Sequence, residues 1–367
     1  MKVCIIHCFD TYEHRVDLLH DYFKEKGAEV TVITSDYMHF EKRKRTDQKD
    51  DFQYVEAIPY TSNLSITRLR SHLQLSRDIF AKIADEAFDL LWVLIPPNCF
   101  VRDAATYKRQ HSETKLIYDI IDMWPETMPV SRVKNLFPFT YWQNMRDQYL
   151  NEADAIVTEC ELYQRRLPEN IESKKLHTIY LGRKVHSYNG KVTLPEGRIS
   201  LCYLGSINNI IDIASIEQLI RALKQERPVE IHVVGDGEKR DVFVQACKDA
   251  GATVVYHGKI YDAQEKQHIF DQCHYGLNMM KESVYVGLTM KSMDYFEAGL
   301  PIINNIHGDT WDIIERENIG INLGKSINAA DILMYDASMR IRVRTFFETN
   351  LGEDTFYRKV EELIRKL

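Results

Sequence analysis

Several features that define other protein classes are missing from this sequence. Its seven cysteines are scattered, form no C-x-x-C pair and give no even framework, which argues against a disulfide-stapled or zinc-bound scaffold and favours a reducing compartment. No run of about twenty apolar residues, the length that spans a membrane, occurs. Lys and Arg total 47 against 54 Asp and Glu, a net charge of −7, so no nucleic-acid signature is present. Met1-Lys2 leads directly into an apolar strand rather than a signal peptide. We therefore expect a cytoplasmic protein.

Glycine is also missing from the first turn of the chain. The loop after the strand Val3–His7 has no G-x-G-x-x-G pattern, which argues against a nicotinamide dinucleotide there. It carries hydrogen-bonding side chains instead, and binding residues concentrate on such loops. We take His7, Asp10, His14 and Arg15 as candidate acceptor-binding residues; the alternative for each is a satisfied loop side chain.

What is present is a strand–helix alternation that runs through the chain twice. Apolar strands followed by amphipathic helices predict parallel sheets, and a polar stretch from Lys184 to Gly197 interrupts the pattern. The expected fold is α/β, with two Rossmann-like doubly wound domains facing across a cleft and a C-terminal helix crossing back to the first domain. The expected domains are 1–183 (acceptor), 184–350 (donor) and 351–367 (crossover helix).

The stretch from Val286 to Asn305 predicts loop, helix, stop and strand. Thr289 can cap the helix, and Gly299 with Pro301 ends it. A helix N-terminus offers unpaired N–H groups and a positive dipole end. Lys291 in the first turn then suggests a ligand of high negative charge, such as a diphosphate. The alternative is an ordinary connection with a solvated lysine.

Two further segments leave membrane contact open. The basic run Glu41–Arg45 is either a solvated loop or a contact with anionic lipid. The segment 133–142 is rich in aromatics, with Lys134 among them, and suits either the core or a membrane interface. Contact at the inner face of a membrane is therefore compatible with the sequence. Homo-oligomerisation is compatible with it as well.

Five segments, in order, resemble a GT-B glycosyltransferase of the retaining family 4, of the bacterial polysaccharide type. Leu204-Gly205-Ser206 resembles the turn that opens the donor domain, and Val233–Glu238 resembles V-G-D-G-E. Tyr256–Ile260 is similar to F-x-G-x-V, Lys291–Pro301 to K-x-x-E-Y-x-A-x-G-x-P, and Asp122–Glu126 to D-x-W-P-E.

The resemblance implies a role for each matching residue. Lys291 and the N–H groups from Gly287 through Thr289 to Met290 would hold the donor diphosphate, and Asp294 would bind the ribose in place of a glutamate. Asp122 would lie near the sugar and act with Lys291 in catalysis. The remaining donor-binding positions are Gly205, Ser206, Gly235, Gly237 and Ile260.

The expected activity is therefore transfer of a sugar from a nucleotide diphosphate, with a UDP-sugar favoured, to a glycan or polyprenyl-linked saccharide. The family implies retention, and neither a metal nor a cofactor is expected. The sequence departs from the family at Val286, where a sugar-binding acid is usual, in its first loop, which lacks a Gly-Gly pair, and after Gly205, where an Arg and a Lys-Gly pair are missing. A nucleotide-sugar 2-epimerase, using acid–base groups such as Asp122, and a non-catalytic partner subunit remain alternatives.

Overall fold

The computed structural model describes residues 1–128, 136–186, 191–324 and 327–367. The start of the aromatic segment, 133–135, and Asn189-Gly190 in the polar stretch lie outside the described residues. The chain divides into two compact units. Unit 1 comprises Met1–Gly182 and Glu353–Leu367, and unit 2 comprises Arg183–Gly352.

Unit 1 is built on a parallel sheet with helices on it. Its sheet has, within the described residues, the strand order β5-β2-β1-β6-β7-β8-β9. These strands are β1 Lys2–Ile6, β2 Glu29–Ser35, β5 Phe52–Val55, β6 Leu90–Ile95, β7 Lys115–Ile120, β8 Ala155–Thr158 and β9 Leu176–Thr178. The helices are α1 Glu13–Glu25, α2 Ile66–Lys82, α3 Cys99–Gln110, α4 Phe139–Asp147 and α5 Glu161–Gln164. Every residue of β6 is buried, as expected for a strand covered on both faces.

The last helix, α13 Glu353–Ile364, belongs to unit 1 although it follows unit 2 in sequence. Its apolar side chains Phe356, Val360 and Leu363 are buried in the same core as Val16 and Trp92. Burying such side chains stabilises a fold by roughly 1.5–3 kcal/mol each. The predicted return of the C-terminal helix to the first domain is confirmed.

The basic run forms part of a small antiparallel hairpin of β3 Tyr37–Met38 and β4 Arg43–Lys44. Arg45 is nearly buried and ion-paired with Glu13, and Lys44 contacts Asp36 and Glu56. Acidic neighbours thus offset much of the run's positive charge. In the aromatic segment, Phe137 and Tyr141 are exposed. Membrane contact by either segment stays a prediction.

Unit 2 repeats the architecture with a second parallel sheet. Within the described residues its strand order is β12-β11-β10-β13-β14-β15. The strands are β10 Ile199–Leu204, β11 Val229–Val234, β12 Thr253–Gly258, β13 Tyr275–Asn278, β14 Ile302–Asn304 and β15 Gly320–Asn322. The helices are α6 Ile213–Lys224, α7 Arg240–Asp249, α8 Ala263–Phe270, α9 Met290–Glu297, α10 Asp309–Glu317, α11 Ala329–Leu333 and α12 Ser338–Asn350.

The strand order of each sheet reverses direction beside its first strand. Strand β1 lies between β2 and β6, and β10 lies between β11 and β13. In open parallel sheets, ligands bind at the carboxyl ends of the strands at such a reversal. The loops after β1, β10 and β13 are therefore the places where each unit is expected to bind its ligand. No helix in the described part of the chain is long and apolar enough to cross a membrane.

Candidate functional site

The N-terminus of α9 is fixed to the end of β13 by the side chain of Thr289. The Thr289 Oγ1 accepts from the Ser292 amide at 3.1 Å and donates to Asn278 Oδ1 at 2.9 Å. Asn278 ends β13 and is fully buried. At the other end, Gly299 adopts a left-handed φ of 68°, and the Leu300 amide donates to the Tyr295 carbonyl. The cap and the stop predicted from the sequence both form.

Lys291 extends from the first turn of α9 toward the end of β10. Its Nζ lies 3.4 Å from the Tyr203 hydroxyl and 4.6 Å from that ring's centroid. The Tyr203 hydroxyl in turn donates to the Ser206 carbonyl at 2.9 Å. Burial lowers the pKa of Lys291 to about 8. Among the residues that the structure describes, no carboxylate pairs with it.

The loops after β10 and β11 pack backbone against backbone. A Cβ on Gly235 would overlap the Gly205 carbonyl, and one on Gly237 would overlap the Ile207 carbonyl. Gly235 has a φ of 142°, which disfavours other residues. Both glycines thus allow the two loops to approach closely, on either side of Ser206.

The other predicted donor-binding residues lie around this loop cluster in unit 2. The Gly287 carbonyl accepts from the amide and hydroxyl of Thr310, at 2.9 and 2.7 Å, which holds the loop before α9. Met290 is exposed, and Ile260 lies half-buried between β12 and α8.

Asp294 lies one helical turn after Lys291 and is engaged by an arginine. Its Oδ1 accepts from Arg183 Nη1 at 2.7 Å, and the same nitrogen lies 3.3 Å from Glu297 Oε2. Asp294 and Glu297 line a cavity of about 730 Å³, together with Gln267 and Lys266 among others. The carboxylate predicted to bind ribose thus lines a cavity whose volume is in the range of small-molecule binding sites.

In unit 1, the first loop is braced by the predicted acceptor residues themselves. Asp10 accepts from the backbone amides of His39 and Phe40, at 2.9 and 3.2 Å. His7 is fully buried, with its Nδ1 3.4 Å from the Phe9 carbonyl. Burial lowers the pKa of His7 to about 3, so this imidazole is neutral.

His14 and Arg15 lie on α1, not on the loop. His14 Nε2 is 2.8 Å from the Gly182 carbonyl. Arg15 is 2% exposed and binds Asp119 side-on. The sequence placed both residues on the first loop, whereas they lie on α1, and the Arg15 charge is matched by a carboxylate from β7 in the core. Acceptor binding by His14 and Arg15 stays a prediction.

Asp122 follows β7 and is held by two donors. Its carboxylate accepts from Trp124 Nε1 at 2.6 Å and from Thr127 Oγ1 at 2.5 Å. Burial raises the pKa of Asp122 even though both hydrogen bonds lower it. Asp122 is therefore a partly buried carboxylate at the ligand edge of the sheet.

Glu159 is a functional candidate that the sequence reasoning missed. It follows β8, whose Thr158 pairs with Ile120 two residues before Asp122. Burial, reinforced by Asp119 and Asp122 and opposed by Arg15, raises the pKa of Glu159 to about 7. An acid within two residues of the end of a buried strand, as in Asp122, is the signal that could have identified it. Within the described ranges, no group of three or more His, Cys, Asp or Glu residues is arranged to hold a metal ion.

Comparisons with known proteins agree with this architecture. No protein-family model matches the sequence, and neither does any curated protein. The lipopolysaccharide outer core galactosyltransferase WaaB is similar over all of both chains, with 12% identity and a TM-score of 0.69. Sucrose-phosphate synthase from Thermosynechococcus elongatus has 11% identity and a TM-score of 0.71, covering 100% of this chain and 98% of that chain. Anabaena HepE, solved in complex with UDP and glucose, has 13% identity and a TM-score of 0.65 over all of both chains. The expected GT-B fold is confirmed.

Proposed function

We propose that this protein is a glycosyltransferase that moves a sugar from a nucleotide diphosphate, preferably a UDP-sugar, to a glycan or lipid-linked saccharide, with retention. Support comes from the fold, which is shared with a galactosyltransferase and with a protein solved in complex with UDP-glucose. It also comes from the ordered motifs of unit 2 and from the chemistry of Lys291.

The observation that carries the proposal is an ammonium group without a counter-ion. Lys291 is partly buried, and no carboxylate among the described residues pairs with it. It lies at the N-terminus of α9, where the dipole and free N–H groups also favour an anion. A buried cation placed against a positive helix end is costly unless a ligand supplies negative charge. A diphosphate supplies at least two such charges.

The proposed reaction breaks the bond between the anomeric carbon and the diphosphate and forms a bond from that carbon to an acceptor hydroxyl. Lys291 and the α9 amides stabilise the charge that develops on the leaving diphosphate. The hydroxyl proton passes to a diphosphate oxygen on the same face of the sugar, which accounts for retention without a protein nucleophile. Asp294 would orient the donor through its ribose hydroxyls, and Asp122 would contact the sugar.

We expect no metal requirement, because Lys291 and the helix end supply the positive charge. Treatment with EDTA should leave the transfer rate unchanged. A rate lost on EDTA treatment and restored by Mg²⁺ would contradict this part of the proposal.

The test is a thermal-shift panel with UDP, GDP, dTDP and ADP and their matched sugars. A ligand at about 100 times its Kd should stabilise by about 2.7 kcal/mol, and we expect UDP to do so. Lys291→Ala should remove most of the shift, whereas Lys248→Ala, an exposed lysine on α7, should keep it. No shift with any nucleoside diphosphate would overturn the proposal.

A 2-epimerase on the same fold is the second candidate, and one observation favours it. Asp122 and Glu159 are two carboxylates at adjacent strand ends with raised pKa values, as acid–base chemistry on a sugar requires. Incubating a UDP-sugar without acceptor in D₂O separates the two functions. Isomerised, deuterated UDP-sugar would indicate the epimerase, and at most slow hydrolysis would indicate the transferase.

A further inference from the structure

A second buried cation lies in unit 1, in the first turn of α2, and no carboxylate among the described residues forms an ion pair with it. Ser65 caps this helix by accepting from the Arg68 amide at 3.1 Å. The Arg68 side chain enters the interior, where the residue is 4% exposed, and His72 follows one turn later at 1%. Residues four apart share one face of a helix, so both polar side chains enter the same region.

Aromatic rings enclose the Arg68 guanidinium. Its Cζ lies 4.3 Å from the Trp124 ring centroid, 5.6 Å from that of Phe9 and 5.8 Å from that of Tyr60. The His72 ring lies 5.3 Å from Phe9 and 6.2 Å from Trp124. The guanidinium is thus fixed against the indole by a cation–π contact, with an imidazole beside it.

The Arg68 guanidinium interacts with the Tyr60 side chain, and one of its nitrogens makes a hydrogen bond of good geometry in the part of the chain that the structure describes. Its Nη1 donates to the Asn63 carbonyl at 2.6 Å. Among the described residues, the buried Nε and Nη2 groups have no hydrogen-bond partner of good geometry, and the same is true of both His72 ring nitrogens. The two carboxylates nearby on the first loop and after β7 bond other donors: Asp10 accepts backbone amides, and Asp122 accepts from Trp124 and Thr127. The Asp122 charge also attracts Arg68 without forming a direct ion pair with it.

The unpaired groups form one edge of the guanidinium. Nε–H and Nη2–H point the same way and are the pair that grips an oxyanion at two points. Arg15 uses this edge for Asp119, at 2.8 and 2.9 Å. Arg146, also buried, uses its Nε for Asp147 and its Nη2 for Glu126. No described carboxylate is hydrogen-bonded to the same edge of Arg68, which is costly for a buried charge.

We propose that the Nε/Nη2 edge of Arg68, with His72 beside it, binds a phosphate or carboxylate carried by the acceptor. The assignment of this oxyanion to the acceptor rests on the proposed function, whereas the oxyanion site itself does not. His39 is partly exposed, while Phe9, Tyr60 and Trp124 are buried. His39 is hydrogen-bonded to Tyr60 at 2.6 Å and is the partly exposed member of this cluster.

The experiment measures thermal stabilisation of the full chain at constant ionic strength. The probes are sodium phosphate, sodium glucuronate and neutral glucose, plus a polyprenyl phosphate in detergent micelles against micelles alone. These arms separate a free phosphate, a uronic acid carboxylate and a lipid phosphate. UDP, measured in parallel, reports on the predicted donor site in unit 2.

In the wild type, at least one oxyanion should raise the Tm saturably, and glucose should not. Arg68→Met should abolish that shift, and Arg68→Lys, which keeps the charge but not the two-point edge, should weaken binding at least tenfold. Arg70→Met, an exposed arginine on the same helix, should behave as wild type. The UDP shift should be the same in all four proteins.

A structural role would give a different result. Arg68→Met removes a buried charge whose Nε and Nη2 groups have no hydrogen-bond partner of good geometry among the described residues, so the ligand-free variant should be about as stable as wild type. A clear fall in its Tm would overturn the proposal, and so would an oxyanion shift retained in Arg68→Met or absent from wild type. If oxyanions bind but UDP does not, the proposed function fails and the Arg68 site stands.

Discussion

Arg15 and Asp119 form a two-point ion pair in the core of unit 1. Arg15 Nε lies 2.8 Å from Asp119 Oδ2, and Nη2 lies 2.9 Å from Oδ1. Trp92 Nε1 also donates to Asp119, and Arg15 Nη1 donates to the Ile179 carbonyl. The pair thus links α1 to three parts of the sheet. Its hydrogen bonds offset the desolvation that burial imposes on both charges.

We predict that Arg15→Met destabilises unit 1 by about 3 kcal/mol, because it leaves the Asp119 carboxylate buried and uncompensated. Urea unfolding followed by tryptophan fluorescence measures this, since Trp92, Trp124 and Trp142 report on unit 1. The double variant Arg15→Met/Asp119→Leu should recover part of the loss. If Arg15→Met instead keeps its stability and loses acceptor binding, the residue acts at the site.

The affinity for UDP should fall as pH rises above about 8. In the ligand-free protein, the pKa of Lys291 is about 8. Because a diphosphate binds the protonated amine, UDP binding above this pH must be accompanied by uptake of a proton. We expect Kd to rise about tenfold from pH 7 to pH 9, measured by calorimetry. Lys291→Met should bind weakly with no such slope, and Lys248→Met should keep it. A slope that survives in Lys291→Met would assign the titration to another group.

Asp294→Ala should act mainly on donor KM. Removing a carboxylate that bonds ribose hydroxyls costs about 1.5–3 kcal/mol, which is roughly a tenfold to hundredfold rise in KM. Steady-state kinetics with UDP-sugar varied would show it, and Asp294→Glu should restore most of the affinity. Unchanged KM with lowered stability would mean that Asp294 serves only its ion pair with Arg183.

Glu159 should make unit 1 less stable as pH rises from about 4.5 to about 7. Its pKa is about 7 in the folded protein against an ordinary 4.5, so the folded state binds more protons in that window and stability falls with pH. Glu159→Gln should remove this loss and gain on the order of 3 kcal/mol at pH 8, with no gain at pH 4. The exposed control Glu169→Gln should show no pH-dependent gain in urea unfolding. An equal gain at both pH values would refute the assignment.

Structural features that depend on residues within one helical turn could be predicted from the sequence. Thr289 caps α9 and Gly299 ends it because both act within one turn of the helix. By contrast, no element was predicted between Pro97 and Lys115, where α3 occupies Cys99–Gln110. Its first residues, Cys99, Phe100 and Val101, are poor helix formers. The helix forms there because these side chains are buried in the fold.

The contacts of the buried charged residues could not be predicted from sequence patterns. Arg15 and Asp119 are 104 residues apart, so nothing local distinguishes Arg15 from the loop residues before it. The enclosure of Arg68 likewise needs Phe9, Tyr60 and Trp124 from three distant segments. Glu159 is an intermediate case between predictable and unpredictable features. Its position after a strand can be predicted from the sequence, but its raised pKa depends on neighbours that only the fold brings close.

The return of α13 to unit 1 has a consequence for biosynthesis. Phe356, Val360 and Leu363 fill a core whose other members are made before Arg183. During synthesis on the ribosome, the last residue of unit 2 is added before the final segment of unit 1. Until that segment is made, the apolar surface of unit 1 that α13 covers stays exposed. A nascent chain halted before Glu353 would hold a complete unit 2 beside an incomplete unit 1, a form suited to capture by chaperones.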